Sequence, residues 1–333
     1  MNIEFSFIIP VYNRPQEIRE LLESLTVLDY DKHFEVVIVE DGSSVSSKDV
    51  VLEYTNRLSI IYLEKENTGP GHSRNYGMKN ASGNYFIILD SDCIMPNHYL
   101  KAVSMFLEES YVDCFGGPDA AHDSFTKLQK AINYSMTSLF TTGGIRGNKK
   151  SVKAYEPRSF NMGISKQVFE RTKGYGKIHP GEDPDLSQRI KKDNFKIGFI
   201  ENAFVYHKRR ISWSRFYTQV KKFGLVRPIL NSWHPNSSKI TFWFPSLFVI
   251  YVFTSVVLSI FGYVFFLIPL CVYFSVLFVD SSIKNKNIFI GILTIIAVLI
   301  QFFGYGIAFL KSTFFISLLK QDPKKRFPQL FFD

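Results

Sequence analysis

The sequence predicts an α/β fold: a parallel sheet covered on both faces by helices, followed by an amphipathic helix and then by membrane-crossing helices. Three observations predict it. From residue 1 to about 120, short apolar runs alternate with stretches of helical periodicity, the pattern of a parallel sheet. Between Asn202 and Val279 there are eight Lys or Arg (Lys208, Arg209, Arg210, Arg215, Lys221, Lys222, Arg227, Lys239) and no acid. Beside that basic stretch, Phe242–Val279 contains no charged residue.

Strands are expected at Phe5–Ile9, Phe34–Val39, Ser59–Leu63, Tyr85–Leu89 and Val112–Phe115, and helices at Pro15–Leu28, Ser46–Tyr54, Gly71–Asn80 and Pro96–Glu109. Pro15 and Pro96 suit a helix's first turn, where a proline is tolerated. Residues 120–205 are less regular and glycine-rich, with a further helix at Glu182–Lys192. In Ile211–Leu230, Trp213, Phe216, Tyr217, Val220 and Phe223 fall at helical spacing with Lys and Arg mostly on other faces. That is the pattern of a helix lying in the membrane interface; a core-packing helix is the alternative, since periodicity does not separate the two.

As one helix, Phe242–Val279 would be about 57 Å long, nearly twice the hydrocarbon thickness. Two spans turning near Phe261–Tyr263 are expected, near 242–260 and 263–279, with a third near 288–310. The resulting division is 1–207, a basic amphipathic interfacial helix and linker over 208–240, and a membrane region over 241–333 ending in a short basic tail. Three spans place Lys284 and Lys286 on the side of the N-terminal part, and Lys324, Lys325 and Arg326 on the other, against the positive-inside rule. A re-entrant segment or a fourth short pass at Phe314–Leu319 would remove that conflict.

Composition excludes several classes. A chain that is 46% hydrophobic and 16% aromatic is not disordered. Net charge is +9, but setting aside the eight basic residues leaves 31 basic against 30 acidic, so no basic field covers the folded part and no nucleic-acid partner is expected. Three cysteines at unrelated spacings give no disulfide framework or zinc pattern, and a reducing compartment is the default. Met1-Asn-Ile-Glu has no basic lead and Phe5–Pro10 is too short for a signal peptide's apolar core, so the folded part is expected in the cytoplasm.

Ligands bind parallel sheets at the carboxyl ends of the strands. The first strand ends in Pro10-Val11-Tyr12-Asn13-Arg14, the second in Glu40-Asp41-Gly42-Ser43-Ser44. Such acids suit a base or ribose, although Asp-Gly-Ser after a strand also makes an ordinary turn. Asn67-Thr-Gly69-Pro-Gly71 leads into a helix carrying Arg74, where glycines admit a ligand and an arginine can meet phosphate. The fourth strand ends in Leu89-Asp90-Ser91-Asp92; carboxylates one residue apart on an extended chain point to one side and can share a hard divalent cation. Gly181-Glu182-Asp183-Pro184-Asp185 opens a helix with three acids in four residues, more than capping requires.

As an ordered set these motifs resemble the family-2 type of inverting glycosyltransferase with the GT-A, nucleotide-sugar-binding fold, over about residues 5–207. The resemblance implies that Pro10 and Tyr12 flank the nucleotide base and Asp41 holds its polar edge, with Glu40, Asn67, Gly69, Arg74 and Asp90 in the nucleotide-sugar site. It implies an Asp-X-Asp metal site at Asp90 and Asp92, with Mg2+ or Mn2+, His207 as a further ligand, and Asp183 as the base with Glu182 beside it. Two departures stand out. Glu40 replaces the first Asp of the commoner pair, and Gln219 is not followed by the Arg-Trp of processive synthases.

Val205–Arg210 and the Gln219, Gly224, Arg227 pattern are similar to downstream elements of membrane-bound members that build exopolysaccharide repeat units. The implied protein is integral to the inner membrane with its catalytic domain facing the cytoplasm. It takes a nucleotide-sugar donor and a lipid-linked or membrane-proximal saccharide acceptor, and contacts membrane lipids. The alternatives are transfer to a bare polyprenyl phosphate, a nucleotidyltransferase, and an inactive membrane scaffold; the intact acids at 41, 90, 92 and 183 argue against the last.

Overall fold

The apolar runs that open the sequence are strands buried on both faces, which is why they read as nearly continuous hydrophobic stretches rather than as alternation. In the computed structural model, residues 2–120, 125–142, 155–208 and 212–332 are described. They fall into two units: Met1–Ala120 with Gly147–His207 and Phe331–Asp333, and Ala121–Arg146 with Lys208–Leu330.

In the first unit β1 (Phe5–Val11), β2 (Phe34–Asp41), β3 (Ser59–Lys65) and β4 (Tyr85–Ile88) are parallel, with β1 between β2 and β4. Side chains alternate across the sheet. Phe5, Phe7 and Ile9 therefore enter one core, with Leu21 and Leu22 of α1 (Pro15–Thr26) and Val103 of α4 (Tyr99–Glu109). Ile8 enters the other, with Met78 of α3 (Pro70–Asn80) and Leu186 and Ile190 of α8 (Glu182–Lys192). The helix expected from Pro96 begins at Tyr99, because the Asn97 carbonyl faces away to accept the Asp29 N–H at 2.8 Å. Short helices α2 (Lys48–Leu52) and α7 (Lys166–Thr172) complete this covering.

Beyond β4 the sheet changes character. Its order is β3-β2-β1-β4-β8-β6-β9, with β8 (Met162–Ser165) antiparallel to both β4 and β6 (Cys114–Gly116), and β9 (Ile197–Phe199) parallel to β6. A small second sheet is made of β5 (Cys93–Ile94), β10 (Val205–His207) and β7 (Asp119–Ala120). It pairs His207 with Cys93 and Val205 with Asp119, drawing three distant segments to the end of β4.

The second unit contains α5 (Lys127–Thr137), α6 (Leu139–Thr142), α9 (Trp213–Trp233), α10 (Phe244–Ile260), α11 (Ile268–Lys284), α12 (Ile288–Ser312) and α13 (Pro323–Arg326). It takes α5 out of the stretch read as one domain to residue 207, because Ile132 and Met136 share a cluster with Phe216, Val220 and Ala297. Arg209, Arg210 and Ile211 lie outside the described residues; from Trp213 onward the amphipathic stretch is helical as expected. Its apolar positions Phe216 and Val220 are covered by α5 and α12 within the unit, so packing accounts for their periodicity.

Three helical segments are long and apolar enough to cross a membrane: Ile240–Ile260, Val264–Lys284 and Ile288–Leu318. The turn between the first two contains Gly262 at φ 91°, where it was expected. No separate pass forms at Phe314–Leu319, because α12 runs straight on into a π-helical turn over Thr313–Leu318.

One packing constraint is testable by stability. A side chain at Gly77 of α3 would place its Cβ 2.7 Å from Ile8 and 3.1 Å from Val39, so the helix lies on the sheet at the glycine's own thickness. Gly77→Val is expected to cost about 1–3 kcal/mol through overpacking, seen as a lowered thermal unfolding midpoint in detergent. An unchanged midpoint would show that α3 can lift off the sheet freely.

Candidate active site

The parallel register brings the carboxyl ends of β1, β2 and β3 to one edge, with Val11 beside Glu40 and Asp41 beside Lys65. The loops there are tied together. Asn13 accepts from the Val45 N–H at 2.9 Å and donates its own N–H to Ser43 Oγ at 2.8 Å. Glu40 is buried and spends both carboxylate oxygens on the chain itself, accepting from Ser43 Oγ, from the Ser47 N–H at 2.7 Å and from the Tyr62 hydroxyl at 2.9 Å. It holds the loop in shape. Asp41 is also buried, accepting from Lys65 Nζ and from the Thr68 N–H at 3.0 Å. Tyr12, by contrast, is half exposed, Pro10 partly so, and Asn67 exposed. Gly69, at φ 87°, caps α3 beneath the ring of Phe332.

The end of β4 carries an acidic cluster. Asp92 forms an ion pair with Arg14 through Oδ2, while its Oδ1 lies 3.2 Å from His207 Nε2. His207 Nε2 is 4.0 Å from Asp90 Oδ2, and its Nδ1 is 3.9 Å from Asp119 Oδ2. The imidazole stacks on Phe160 at 4.8 Å, which fixes its plane. Burial alone would raise the Asp92 carboxyl, but His207 and Arg14 outweigh it and hold the group well below the usual carboxylate range. Asp92 Oδ1 is enclosed and receives no aligned hydrogen bond.

That atom decides whether a divalent cation fits. A buried anionic oxygen lacking a donor, an imidazole nitrogen 3.2 Å away and a second carboxylate at Asp90 form a hard to intermediate donor set. Such a set suits Mg2+ or Mn2+. Cys93 Sγ also lies close; burial pushes its thiol up, and it donates to the Phe160 carbonyl at 3.4 Å.

The three acids of α8 have separate surroundings. Asp185 pairs with Arg189 at 2.8 Å, which in turn ties down the Thr172 and Gly174 carbonyls. Glu182 accepts from Arg74 Nη1 at 3.1 Å and lies 2.9 Å from His179 Nδ1. Despite burial, His179 and then Arg74 hold its carboxyl down at about 2. Asp183 Oδ1 is enclosed with no hydrogen bond. Burial, then the neighbouring Glu182 charge, pushes Asp183 up to about 6.

Arg74 connects the two ends of the site. It is buried on α3, donates Nη2 to Asp90 Oδ1 at 2.7 Å and Nη1 to Glu182, and lies 5.2 Å from the Tyr175 ring centre. The guanidinium expected near a nucleotide is thus committed to two of the other predicted residues. The structure brings Arg74, Asp90, Asp92, Glu182, Asp183 and His207 together; Glu40 is turned to the loop. Sequence reasoning missed Arg14, Asp119 and His179. Arg14 was in view beside Pro15, whereas Asp119 joins only through the two-residue strand β7.

The site thus combines loops at the carboxyl edge of a sheet, two neighbouring carboxylates beside His207 and an enclosed Asp183 oxygen without a hydrogen bond. The glycosyl transferase family 2 model matches residues 6–172, half of the chain, and the chain belongs to that family, with the GT-A fold in its first unit. It is 38% identical over 114 residues to the poly(ribitol-phosphate) beta-N-acetylglucosaminyltransferase TarS of Staphylococcus aureus, covering 33% of this chain and 20% of TarS. It is 26% identical over 247 residues to the glycosyltransferase GlyA of Streptococcus pneumoniae, covering 67% of this chain and 33% of GlyA. The matches thus span a fifth to a third of those relatives' length. Among solved structures, the mannosyltransferase PcManGT from Pyrobaculum calidifontis, in complex with GDP-Man and Mn2+, superimposes with a TM-score of 0.54 at 16% identity. That match covers 69% of this chain and 65% of PcManGT, and supports the fold.

The Asp183 environment has a pH signature. Its neutral form is favoured up to about 6, so folding is weakened as pH rises from the ordinary carboxylate value through about 6 and the group ionises. Asp183→Asn is expected to raise the thermal midpoint at pH 7.5 and leave it unchanged at pH 4, where the native side chain is already neutral. Equal midpoints at both pH values would show that the carboxylate is not held in a desolvated site.

Proposed function

We propose that this is a metal-dependent inverting glycosyltransferase that moves a sugar from a nucleoside-diphosphate donor to a lipid-linked or membrane-proximal saccharide in cell-surface polymer synthesis. The observation that supports the reading is the bridge from buried Arg74 to Asp90 and Glu182, beside the Asp92–His207 pair and the enclosed Asp183 oxygen. The name of TarS, a beta-N-acetylglucosaminyltransferase acting on poly(ribitol-phosphate), supports a polymer acceptor, and the nucleotide sugar and Mn2+ in the PcManGT structure support the donor class and cation.

Transfer breaks the bond between the anomeric carbon and the diphosphate and forms one to the acceptor oxygen, through an oxocarbenium-like state. A divalent cation held by Asp92, His207 and Asp90 would supply positive charge to the departing diphosphate. Asp183 accepts the proton of the attacking hydroxyl, and a single base on the opposite face gives inversion. Its raised carboxyl suits that work: a carboxylate at about 6 is more basic than an exposed one, yet ionised at neutral pH. Glu182, kept ionised by His179 and Arg74, maintains that basicity by like-charge repulsion. Asp41, Tyr12 and Pro10, at the edge of β1 and β2, bind the nucleoside.

The three apolar segments and the basic residues of α9 support integral attachment at the inner membrane with the first unit on the cytoplasmic side.

The test is release of nucleoside diphosphate by purified protein with native lipid extract, across a panel of nucleotide sugars with Mn2+ or Mg2+, including arms with bare polyprenyl phosphate and lipid-linked saccharide. Release with one donor, abolished by chelator, is expected. Asp183→Asn should lower transfer by about 10²–10⁴-fold with donor binding retained, whereas Asp92→Ala should weaken metal-dependent binding itself. Donor binding lost in Asp183→Asn would move that residue to the donor pocket. Glu182→Gln is expected to shift the acid limb of the rate profile below pH 6, since it removes the charge that raises Asp183.

A further inference from the structure

We infer that the chain makes no net crossing of the membrane: the α10–α11 hairpin enters the bilayer and returns, while α12 lies along the membrane face beside α9. The inference rests on the membrane attachment proposed above and concerns which of the three apolar segments enters the hydrocarbon.

The chain leaves the first unit after His207 and rejoins it at Phe331. There Phe331 forms a bridge with Ile178, and the Phe332 N–H donates to the Lys177 carbonyl at 3.0 Å. The Phe332 ring covers Gly69, 2.5 Å from where a Cβ would stand, and packs 5.9 Å from the His179 ring. A folded unit lies on one side of a membrane, so the chain between His207 and Phe331 crosses an even number of times. Three candidate segments cannot all cross.

The helix that stays out is α12. α9 runs alongside α12: Gly304 packs on Tyr217 and Val220, Gly224 on Tyr305 and Ala308, and Ser312 Oγ donates to the Leu225 carbonyl at 2.6 Å. α9 carries Arg215, Lys221, Lys222 and Arg227. At the start of α12, the Lys127 ammonium of α5 sits 5.0 Å from the Phe289 ring centre. A crossing α12 would carry Lys221 and Lys222, on the stretch of α9 packed along its middle, into hydrocarbon, which charged side chains avoid unless they line a protein or water-filled interior. α12 is also the most enclosed of the three, 44% of its apolar window being buried against 17% and 11%.

The hairpin has the opposite character. Phe253, Val257, Ile260, Phe261, Phe265 and Val272 are exposed along it. Its limbs meet through the Tyr251 hydroxyl, which donates to the Phe266 carbonyl at 2.9 Å. In the turn, the N–H groups of Phe261, Gly262 and Tyr263 donate to Leu258 and Ser259 carbonyls, as backbone in a lipid environment requires. With this path, Lys284, Lys286, Lys324, Lys325 and Arg326 all fall on the side of the first unit.

The experiment uses the full chain with Cys271→Ser, since Cys93 and Cys114 are buried. Asn56→Cys, Lys286→Cys and Gln321→Cys, each exposed, are introduced singly. Sealed vesicles of known orientation are then treated with a membrane-impermeant maleimide. All three sites are expected to be labelled from the same face and protected from the other until detergent is added. Labelling of 286 and 321 from opposite faces, or of 56 and 286 from opposite faces, would overturn the inference. Alkaline carbonate extraction separates this failure from that of the attachment itself: protein released by carbonate overturns both, whereas retained protein with 286 and 321 on opposite faces overturns the topology alone.

Discussion

The site depends on the ion pairs of one buried arginine. Arg74 reaches Asp90 at the end of β4 with one amino group and Glu182 at the start of α8 with the other, and α3 holds it against the sheet. Without a cation there, Asp90 and Glu182, together with Asp92 and Asp183, would be a concentration of negative charge in a desolvated corner. A buried ion pair is rarely a net source of stability, but removing one partner costs about 3–5 kcal/mol, because the other charge is left unpaired. Arg74 is therefore best understood as a positioning residue whose loss is felt at both ends of the site.

The distribution of partners around it separates acids that look alike in sequence. Asp185 belongs to Arg189, Glu182 to Arg74 and His179, and Glu40 to the loop between β2 and α2. Asp92 and Asp183 each keep an enclosed oxygen without a hydrogen bond. Native structures seldom leave buried polar atoms unsatisfied, and where they do a function is a common reason. The two atoms have opposite tendencies: Asp92 is held ionised, as a cation ligand must be, while Asp183 is kept basic, as a proton acceptor must be.

The sequence made the first half of the sheet legible because β1, β2 and β4 are parallel strands buried on both faces and the edge strand β3 is a partly buried apolar run beside them. The later strands left no such trace. β5 and β7 are two residues each and β10 three, and their pairing is wholly long-range, so no local periodicity announces them. Asp119 enters the cluster only through that pairing, which is why it was not read from the sequence, whereas His207 followed from a motif resemblance. The departure of α5 to the second unit was equally hidden, since its apolar face is satisfied by residues far along the chain. The three apolar segments were plain from charge alone; that the last of them packs lengthwise against a basic helix was not.

The most direct measurement is an experimental structure of the full chain with a nucleoside diphosphate and Mn2+. The ion is expected on Asp92 and His207, with Arg74 still bridging Asp90 and Glu182, and Asp183 facing the space beyond the diphosphate. An Arg74 swung out onto the phosphates, or an ion bound away from Asp92 and His207, would contradict it.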